Sequence, residues 1–459
     1  MATTYDAIII GTGQAGPSLA VRLASSGMRV AIVERKQFGG TCVNTGCIPT
    51  KTLVASARAA HVARHAGEYG VMIDGSITVD MKKVKERKDA VVHQSNEGLE
   101  KWLKGTEHLT VYQGHARFTG PRQIRVSDEL LEANQIFINV GGRASTPPLR
   151  GLDQVSYLNN STMMDVDFLP EHLIVIGGSY VGLEFAQMYR RFGSQVTIVE
   201  MGPRLIQRED GDVSEAVRTI VEAEDIKTRL SAECIALEKR GDKVAVGVDC
   251  TSGDKIVVGS HVLLAVGRVP NTADLGLENA RIAVDQRGYI QVDDQLRTNV
   301  PGIYALGDCN GRGAFTHTSY NDYEIVAANL LEGDQRRVSD RITAYALYID
   351  PPLGRAGMTE TEARKSGRKA LIAKRPMTRV GRAVEKGETE GFMKILVDAE
   401  TKQILGASLL GIECDEVIHS ILDVMYAKAP YTVIQRAMHI HPTVTELIPT
   451  MLGELKPLE

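Results

Sequence analysis

Tyr5-Asp6-Ala7-Ile8-Ile9-Ile10-Gly11-Thr12-Gly13-Gln14-Ala15-Gly16 is the stretch that decides the fold. Its apolar run reads as a buried strand over Tyr5–Gly11, and its three glycines stand at the GxGxxG spacing. A helical stretch through Ala24 follows, then a second strand over Arg29–Val33 that ends in Glu34. Strand, glycine turn, helix, strand and acid in that order form a dinucleotide-binding unit. Gly11, Gly13 and Gly16 let the backbone approach a pyrophosphate at the helix N-terminus. Glu34 then accepts hydrogen bonds from ribose hydroxyls.

The unit recurs. Leu173–Ile176 reads as a strand, Gly177-Gly178-Ser179-Tyr180-Val181-Gly182 as its turn, and a helix is expected to run to Arg191. The strand Gln195–Val199 ends in Glu200. Gly11 to Glu34 and Gly177 to Glu200 both span 23 residues. Two α/β units that use glycine for packing alone would not require that match. Two dinucleotide sites in one chain are expected, in an α/β protein with two Rossmann-like domains. Ser179 stands where the second unit's middle glycine would be, and serine is still small enough for close approach. Glu200 favours NAD(H) over NADP(H), because a carboxylate repels a 2′-phosphate. Arg204, close behind, softens that preference.

Bulk properties agree. A chain of 459 residues is too long for one core. Its 43% hydrophobic share is ordinary for a globular protein, and its 44 glycines suit tight strand-to-helix turns. The net charge of −4 gives no general affinity for nucleic acid or anionic membranes. No apolar run reaches the roughly 18 residues of a membrane span. The first strand begins too early for a signal peptide to precede it, so a cytoplasmic location is expected. Six cysteines in this length make no disulfide framework.

Two of the six stand in Gly39-Gly40-Thr41-Cys42-Val43-Asn44-Thr45-Gly46-Cys47-Ile48-Pro49-Thr50-Lys51. Their Cys-x4-Cys spacing is too wide for a CxxC metal knuckle, and no second pair completes a zinc site. A helix expected over Thr50–His65 would put both near its N-terminal end, where the macrodipole favours thiolate. Two buried structural cysteines are the alternative, which the surrounding glycines disfavour. The stretch resembles the active-site signature of the pyridine nucleotide–disulfide oxidoreductases, a family that includes dihydrolipoamide dehydrogenase, glutathione reductase and mercuric reductase. The resemblance extends over essentially the whole chain.

That resemblance implies FAD at the first dinucleotide site and NAD(P)H at the second. It implies that Cys47 is the thiol beside the flavin and Cys42 the interchange thiol that attacks substrate. Lys51 is similar to the family lysine near the flavin, and Glu184 to its acidic partner. Thr298–Asp308 (TNVPGIYALGD) resembles the second FAD motif, with Gly307 and Asp308 at the ribityl–phosphate region. Gly40, Thr41, Gly141, Ala314 and Phe315 are expected to border the same cofactor. Ala265-Val266-Gly267-Arg268 looks like the strand returning from the nucleotide domain, with Gly267 beside the nucleotide. Tyr180 resembles the aromatic gate of some members, although a tyrosine at a helix start more often only packs.

His441-Pro442-Thr443-Val444-Thr445-Glu446 is similar to the family's catalytic dyad. Glu446 would orient the imidazole of His441, which would carry the proton between interchange thiol and substrate. In the family this histidine serves the partner's disulfide, so a homodimer is implied; His439 is expected to be structural. Strands at Ala344–Ile349, Phe392–Val397 and Ile404–Leu410, with a helix at Glu416–Lys428, suit a dimerisation domain. The expected division is an FAD-binding domain over 1–150 and 268–340, an NAD(P)H-binding domain over 151–267, and a dimerisation domain over 341–459.

A small disulfide, lipoamide-like or another low-molecular-weight thiol, is the expected substrate. A mercuric-reductase-like metal-ion reductase and an NADH oxidase are alternatives on the same flavin. The C-terminus MLGELKPLE carries no metal-delivering cysteine pair. A non-catalytic flavoprotein subunit is a third reading. No resident metal is expected; Cys309 and Cys414 read as inert, with Cys414 the one that could serve a metal. The basic residues from Lys82 to Lys88 could meet an anionic substrate, but a solvated helix face explains them better.

Overall fold

The computed structural model describes residues 2–249 and 255–459. Its first sheet is built on the strand Thr3–Ile10, whose Ala7, Ile8, Ile9 and Ile10 are all buried. An unbroken apolar run of this kind suits a parallel strand covered on both faces. It pairs in parallel with Val30–Glu34 on one side and Glu129–Ile138 on the other. Leu109–Gln113 lies outside the former, and Ile303–Ala305 joins the latter after a long excursion of the chain. An antiparallel pair, Ala116–Gly120 and Gln123–Val126, completes seven strands.

The first strand turns into the helix Ala15–Ser25 at Gly11, where φ is +104°. A Cβ on Gly11 would lie 2.4 Å from the carbonyl oxygen of Asn139, and one on Gly16 would lie 2.2 Å from that of Gly11. Only glycine fits either position, so strand and helix pack backbone against backbone.

A second sheet repeats the plan with Lys227–Arg229, Gln195–Val199, His172–Ile176 and His261–Leu264, all parallel. The helix Tyr180–Phe192 follows its glycine turn. An antiparallel meander (Glu233–Arg240, Lys243–Asp249, Ile256–Gly259) shares an apolar core with this sheet. The strands Gly142–Ala144 and Arg268–Pro270 pair antiparallel where the chain enters and leaves this region.

The third sheet is antiparallel, in the order Ala344–Leu347, Leu353–Gly357, Ile404–Leu410, Phe392–Asp398, Ala370–Pro376, Lys456–Pro457. The helix Cys414–Tyr426 packs its Val417, Ile418 and Ile421 onto it.

Two local expectations need correction. The helix expected from Thr50 begins at Cys47 and ends at Arg64. Pro49 does not prevent this earlier start, because proline is tolerated in the first helical turn, where its missing N–H would be unbonded anyway. Lys88 is not on a solvated face. In the helix Met81–Lys104 it shares the inward stripe with Met81 and Val84, and it is buried with its ammonium on Asp89.

The second and third sheets are joined by a buried charge cluster. Lys394, 1% exposed on the strand Phe392–Asp398, reaches Asp210 at 3.1 Å, Asp212 at 2.8 Å and Glu360 at 2.6 Å. These three carboxylates are close enough together to hold a metal ion, but the lysine ammonium already bonds all three. Burial works against ionising Asp210 and Asp212, yet bonds from the Glu360 backbone, Lys374 and Lys394 hold both below the usual carboxylate range. Replacing Lys394 with methionine strips the cage of its central cation. The variant should lose about 3–5 kcal/mol of unfolding free energy in a urea titration; a loss under about 1 kcal/mol would mean that the cage is not structural.

Candidate functional site

The cysteine segment folds as two short helical pieces meeting at a glycine. Gly39, at φ +90°, caps the helix Gly40–Asn44, which carries Cys42. Asn44 ties the piece down by donating to the carbonyls of Phe38 and Gly40. A Cβ on Gly46 would sit 2.8 Å from the Thr41 carbonyl, so the next helix starts in direct contact with the first. Cys47 is its first residue, where unbonded N–H groups favour a negative charge.

Thr316 meets both sulfurs. Its Oγ1 lies 3.1 Å from Cys47 Sγ and 3.3 Å from Cys42 Sγ. It is the first residue of the helix Thr316–Leu331, so a second helix N-terminus faces the pair. The hydrogen bond from Cys42 lowers the Cys47 thiol to about 6 against the opposing effect of burial, with help from Thr316 and the Lys51 ammonium. The same bond, with burial, pushes the Cys42 thiol up. Both shifts favour the charge on Cys47 and the proton on Cys42 in the reduced pair.

One turn beyond Cys47, Lys51 places its ammonium 2.8 and 3.0 Å from the two oxygens of Glu184, on the helix of the second dinucleotide unit. The backbone N–H of Tyr348 also donates to Glu184, at 3.1 Å, and the Tyr348 ring lies under the lysine. These two residues, 133 positions apart, are thus one ion pair beside the cysteines.

At the first turn, Glu34 accepts from the Thr12 N–H at 3.1 Å, the Thr12 hydroxyl at 2.6 Å and the Lys36 N–H at 2.8 Å. A Cβ on Gly40 would meet Gly13 Cα at 3.0 Å, so the cysteine segment begins against the turn. Thr41 reaches the Gly142 carbonyl at 3.5 Å, next to Gly141. Burial raises the Asp308 carboxyl despite Arg268 at 3.5 Å. Gly307 donates its N–H to Asp322. Ala314, which is exposed, and the half-buried Phe315 lead into Thr316. This set fits FAD: a turn that a Cβ would fill, a carboxylate at the end of the adjoining strand, and the cysteine pair next along the chain.

At the second turn, Gly178 donates its N–H to Glu200 at 2.7 Å, and a Cβ on Gly182 would lie 1.9 Å from the Gly177 carbonyl. Gly177 and Gly267 have φ of +114° and +113°. The hydroxyl of Tyr180 donates to Glu209. The geometry is that of the first turn, with Ser179 accommodated as the residue before the helix.

His441 Nδ1 stands 2.9 Å from Glu446, with the imidazole 79% exposed and the carboxylate 15% exposed. Among the described residues it bonds only Glu446 and neither cysteine, so the dyad and the sulfur pair are separate within one chain. His439 bonds the Ala437 carbonyl. Cys309 and Cys414 are wholly buried; burial raises the Cys309 thiol to about 12 and the Cys414 thiol further. Among the described residues, neither belongs to a group of potential metal ligands. Sequence reasoning missed Thr316, which stands 269 positions from Cys47 and whose only local signal is a threonine at a helix start.

Residues 5–322 match the family model described as pyridine nucleotide-disulphide oxidoreductase, and residues 343–452 match the dimerisation domain of the same family. The chain belongs to the pyridine nucleotide–disulfide oxidoreductases. It is 35% identical to the probable pyridine nucleotide-disulfide oxidoreductase RclA of Escherichia coli, over 98% of this chain and 99% of that protein. It is also 35% identical to a dihydrolipoyl dehydrogenase of Thermus scotoductus, over 96% of this chain and 95% of that one. Among solved structures, the Cu(II) complex of the HOCl-induced flavoprotein disulfide reductase RclA from Escherichia coli superposes with a TM-score of 0.90. There the identity is 34%, over 99% of this chain and 100% of that one. No helix among the described residues is long and apolar enough to cross a membrane.

Thr316→Val removes one donor from the Cys47 thiolate while keeping the side chain's shape. The Cys47 thiol should rise from about 6 by roughly one unit. The pH profile of iodoacetamide alkylation of the reduced protein would report it, and an unmoved profile would remove Thr316 from the thiolate's stabilisation.

Proposed function

We propose that this chain, as a homodimer, moves electrons from NADH through FAD to the Cys42–Cys47 pair and on to a small disulfide. The observation that carries this reading is the shared contact of Thr316 with both sulfurs, with the thiolate resting on Cys47. FAD, when bound, supplies the two-electron relay between the nucleotide and the cysteines. Gly11, Gly13, Gly16, Glu34 and Asp308 hold it in this reading; Gly177, Gly178, Gly182 and Glu200 hold the nucleotide. Lys51, fixed by Glu184, keeps a positive charge beside Cys47.

From the reduced pair, the chemistry belongs to the protein's own groups. Cys42, as thiolate, attacks one sulfur of the substrate disulfide; a mixed disulfide forms and one substrate thiolate departs. The imidazole of the partner subunit's His441 takes the Cys42 proton and returns it to that leaving sulfur. Glu446 accepts from Nδ1 and leaves Nε2 free for this exchange. Cys47 thiolate then attacks Cys42 Sγ, which restores the intramolecular disulfide and releases the second substrate sulfur as a thiolate that takes its proton from solvent. Two electrons have passed from the dithiol to the substrate.

A metal-ion acceptor is the second reading, favoured by the structure of the related RclA as a Cu(II) complex. A thiolate pair is a soft ligand set suited to such ions, and electron transfer to a metal has no departing thiol to protonate.

His441→Ala separates the two. Reduction of lipoamide by NADH should fall by about 10²–10⁴-fold, the range for loss of a general acid–base group, while reduction of Cu(II) should survive. Cys42→Ser should abolish disulfide turnover with FAD still bound. Full lipoamide turnover by Cys42→Ser would sink the scheme.

A further inference from the structure

The last turn of the helix Cys47–Arg64 carries His61, and His65 follows the helix directly, one turn further on. Residues four apart share one face of a helix, so the two imidazoles are neighbours. Their ring centroids lie 4.2 Å apart, with the planes tilted by 32°. Two imidazoles at this spacing on one face can chelate a single cation.

Each ring is prepared in its own way. His65 Nδ1 stands 2.8 Å from the carbonyl oxygen of His61. A carbonyl only accepts, so in the neutral ring Nδ1 carries the hydrogen and Nε2 keeps its lone pair. Metal-binding histidines are held in this manner, one nitrogen donating to a carbonyl or carboxylate and the other turned to the ion. His61 is half-buried and makes no ring hydrogen bond among the described residues. Burial, and then the Arg191 guanidinium, lower its pKa, so this ring is neutral and able to bind at physiological pH.

The surroundings decide which ions suit. The charged groups that act on His61 are Arg191, Glu224, Asp350 and His65. Both carboxylates are engaged by Arg191, and Asp350 by Arg58 as well. A hard cation such as Mg²⁺ would have to take these oxygens from two arginines. Two imidazoles with water at the remaining positions suit Ni²⁺, Cu²⁺ or Zn²⁺ instead. The scaffold is already stiff. Arg64, between the two histidines, donates to the Arg191 carbonyl, and Arg58, one turn before His61, bonds Asp350 and Glu388. Binding therefore orders two side chains and no backbone.

We propose that His61 and His65 form a chelating site for one late first-row divalent cation, Ni²⁺, Cu²⁺ or Zn²⁺, held through two imidazole nitrogens. His61 lies about 21 Å along the helix from Cys47, so the site is separate from the sulfur pair. An ion there ties the last helical turn to the residue beyond it. The unfolded chain does not hold the two rings together, so occupancy stabilises the fold.

The test is calorimetric titration with Ni²⁺ of the FAD-loaded protein, its Cys42–Cys47 disulfide closed so that no thiolate competes. The wild type should bind one ion per chain, and His61→Gln and His65→Gln should each weaken Kd by about tenfold or more. His439→Gln should keep Kd within about twofold. Ni²⁺ should also raise the Tm of the wild type and leave that of His65→Gln unmoved. Diethyl pyrocarbonate labelling read by mass spectrometry needs no variant: Ni²⁺ should protect His61 and His65 and leave His439 open to reaction. No binding by the wild type, binding that persists in both variants, or protection that falls on other histidines overturns the site. Each of those results leaves the proposed function standing.

Discussion

The ion pairs along one helix, Cys47–Arg64, hold the molecule's three sheets in register, and the site depends on that registration. Lys51 bonds Glu184 on the second dinucleotide unit. Two turns on, Arg58 bonds Asp350 and Glu388 in the third region, at 2.5 and 2.6 Å. At the helix end, Arg64 donates to the backbone carbonyl of Arg191. Arg191 itself bridges Asp350 and Glu224. A hydrophobic interface would allow the second unit to slip by a methyl group's width; fixed charge pairs do not. Such pairs add little net stability, because desolvation offsets their attraction, but they strongly disfavour any other alignment. What they align here is a sulfur pair at one end of the helix with a dinucleotide turn on its neighbour.

The reactive character of Cys47 follows from the same placement. Its negative charge is favoured by a helix start, a threonine hydroxyl, a lysine and the proton on Cys42, all contributed from different places in the chain. Cys309 and Cys414 draw on no threonine hydroxyl, lysine or second thiol; Cys414 does begin a helix, but burial is the largest influence on both thiols and raises them. Reactivity in this protein is a property of the surroundings of a thiol rather than of the residue type.

Much of this was legible in the sequence because its signals are local. Both glycine turns, their flanking strands and the acids 23 residues on lie within single short stretches, so periodicity and spacing suffice to read them. His441 and Glu446 are likewise five positions apart. The errors came where one residue has two readings. Pro49 stands inside the first turn of its helix rather than before it, and Lys88 is charged yet occupies an inward helical position. Thr316 and Glu209 were illegible for a different reason. Their partners lie more than a hundred positions away or across a sheet boundary, and no local pattern encodes such a meeting.

The two acids at the strand ends have a further consequence. Glu34 is held on both oxygens by Thr12 and Lys36, and Glu200 by Gly178, Gly202 and Gln207, before any ligand arrives. Freezing a flexible glutamate on binding ordinarily costs about 0.5–1.5 kcal/mol. Here that entropy is surrendered during folding instead. A ligand hydroxyl that reaches either carboxylate meets an acceptor already aimed, and recognition at both turns begins from a rigid template.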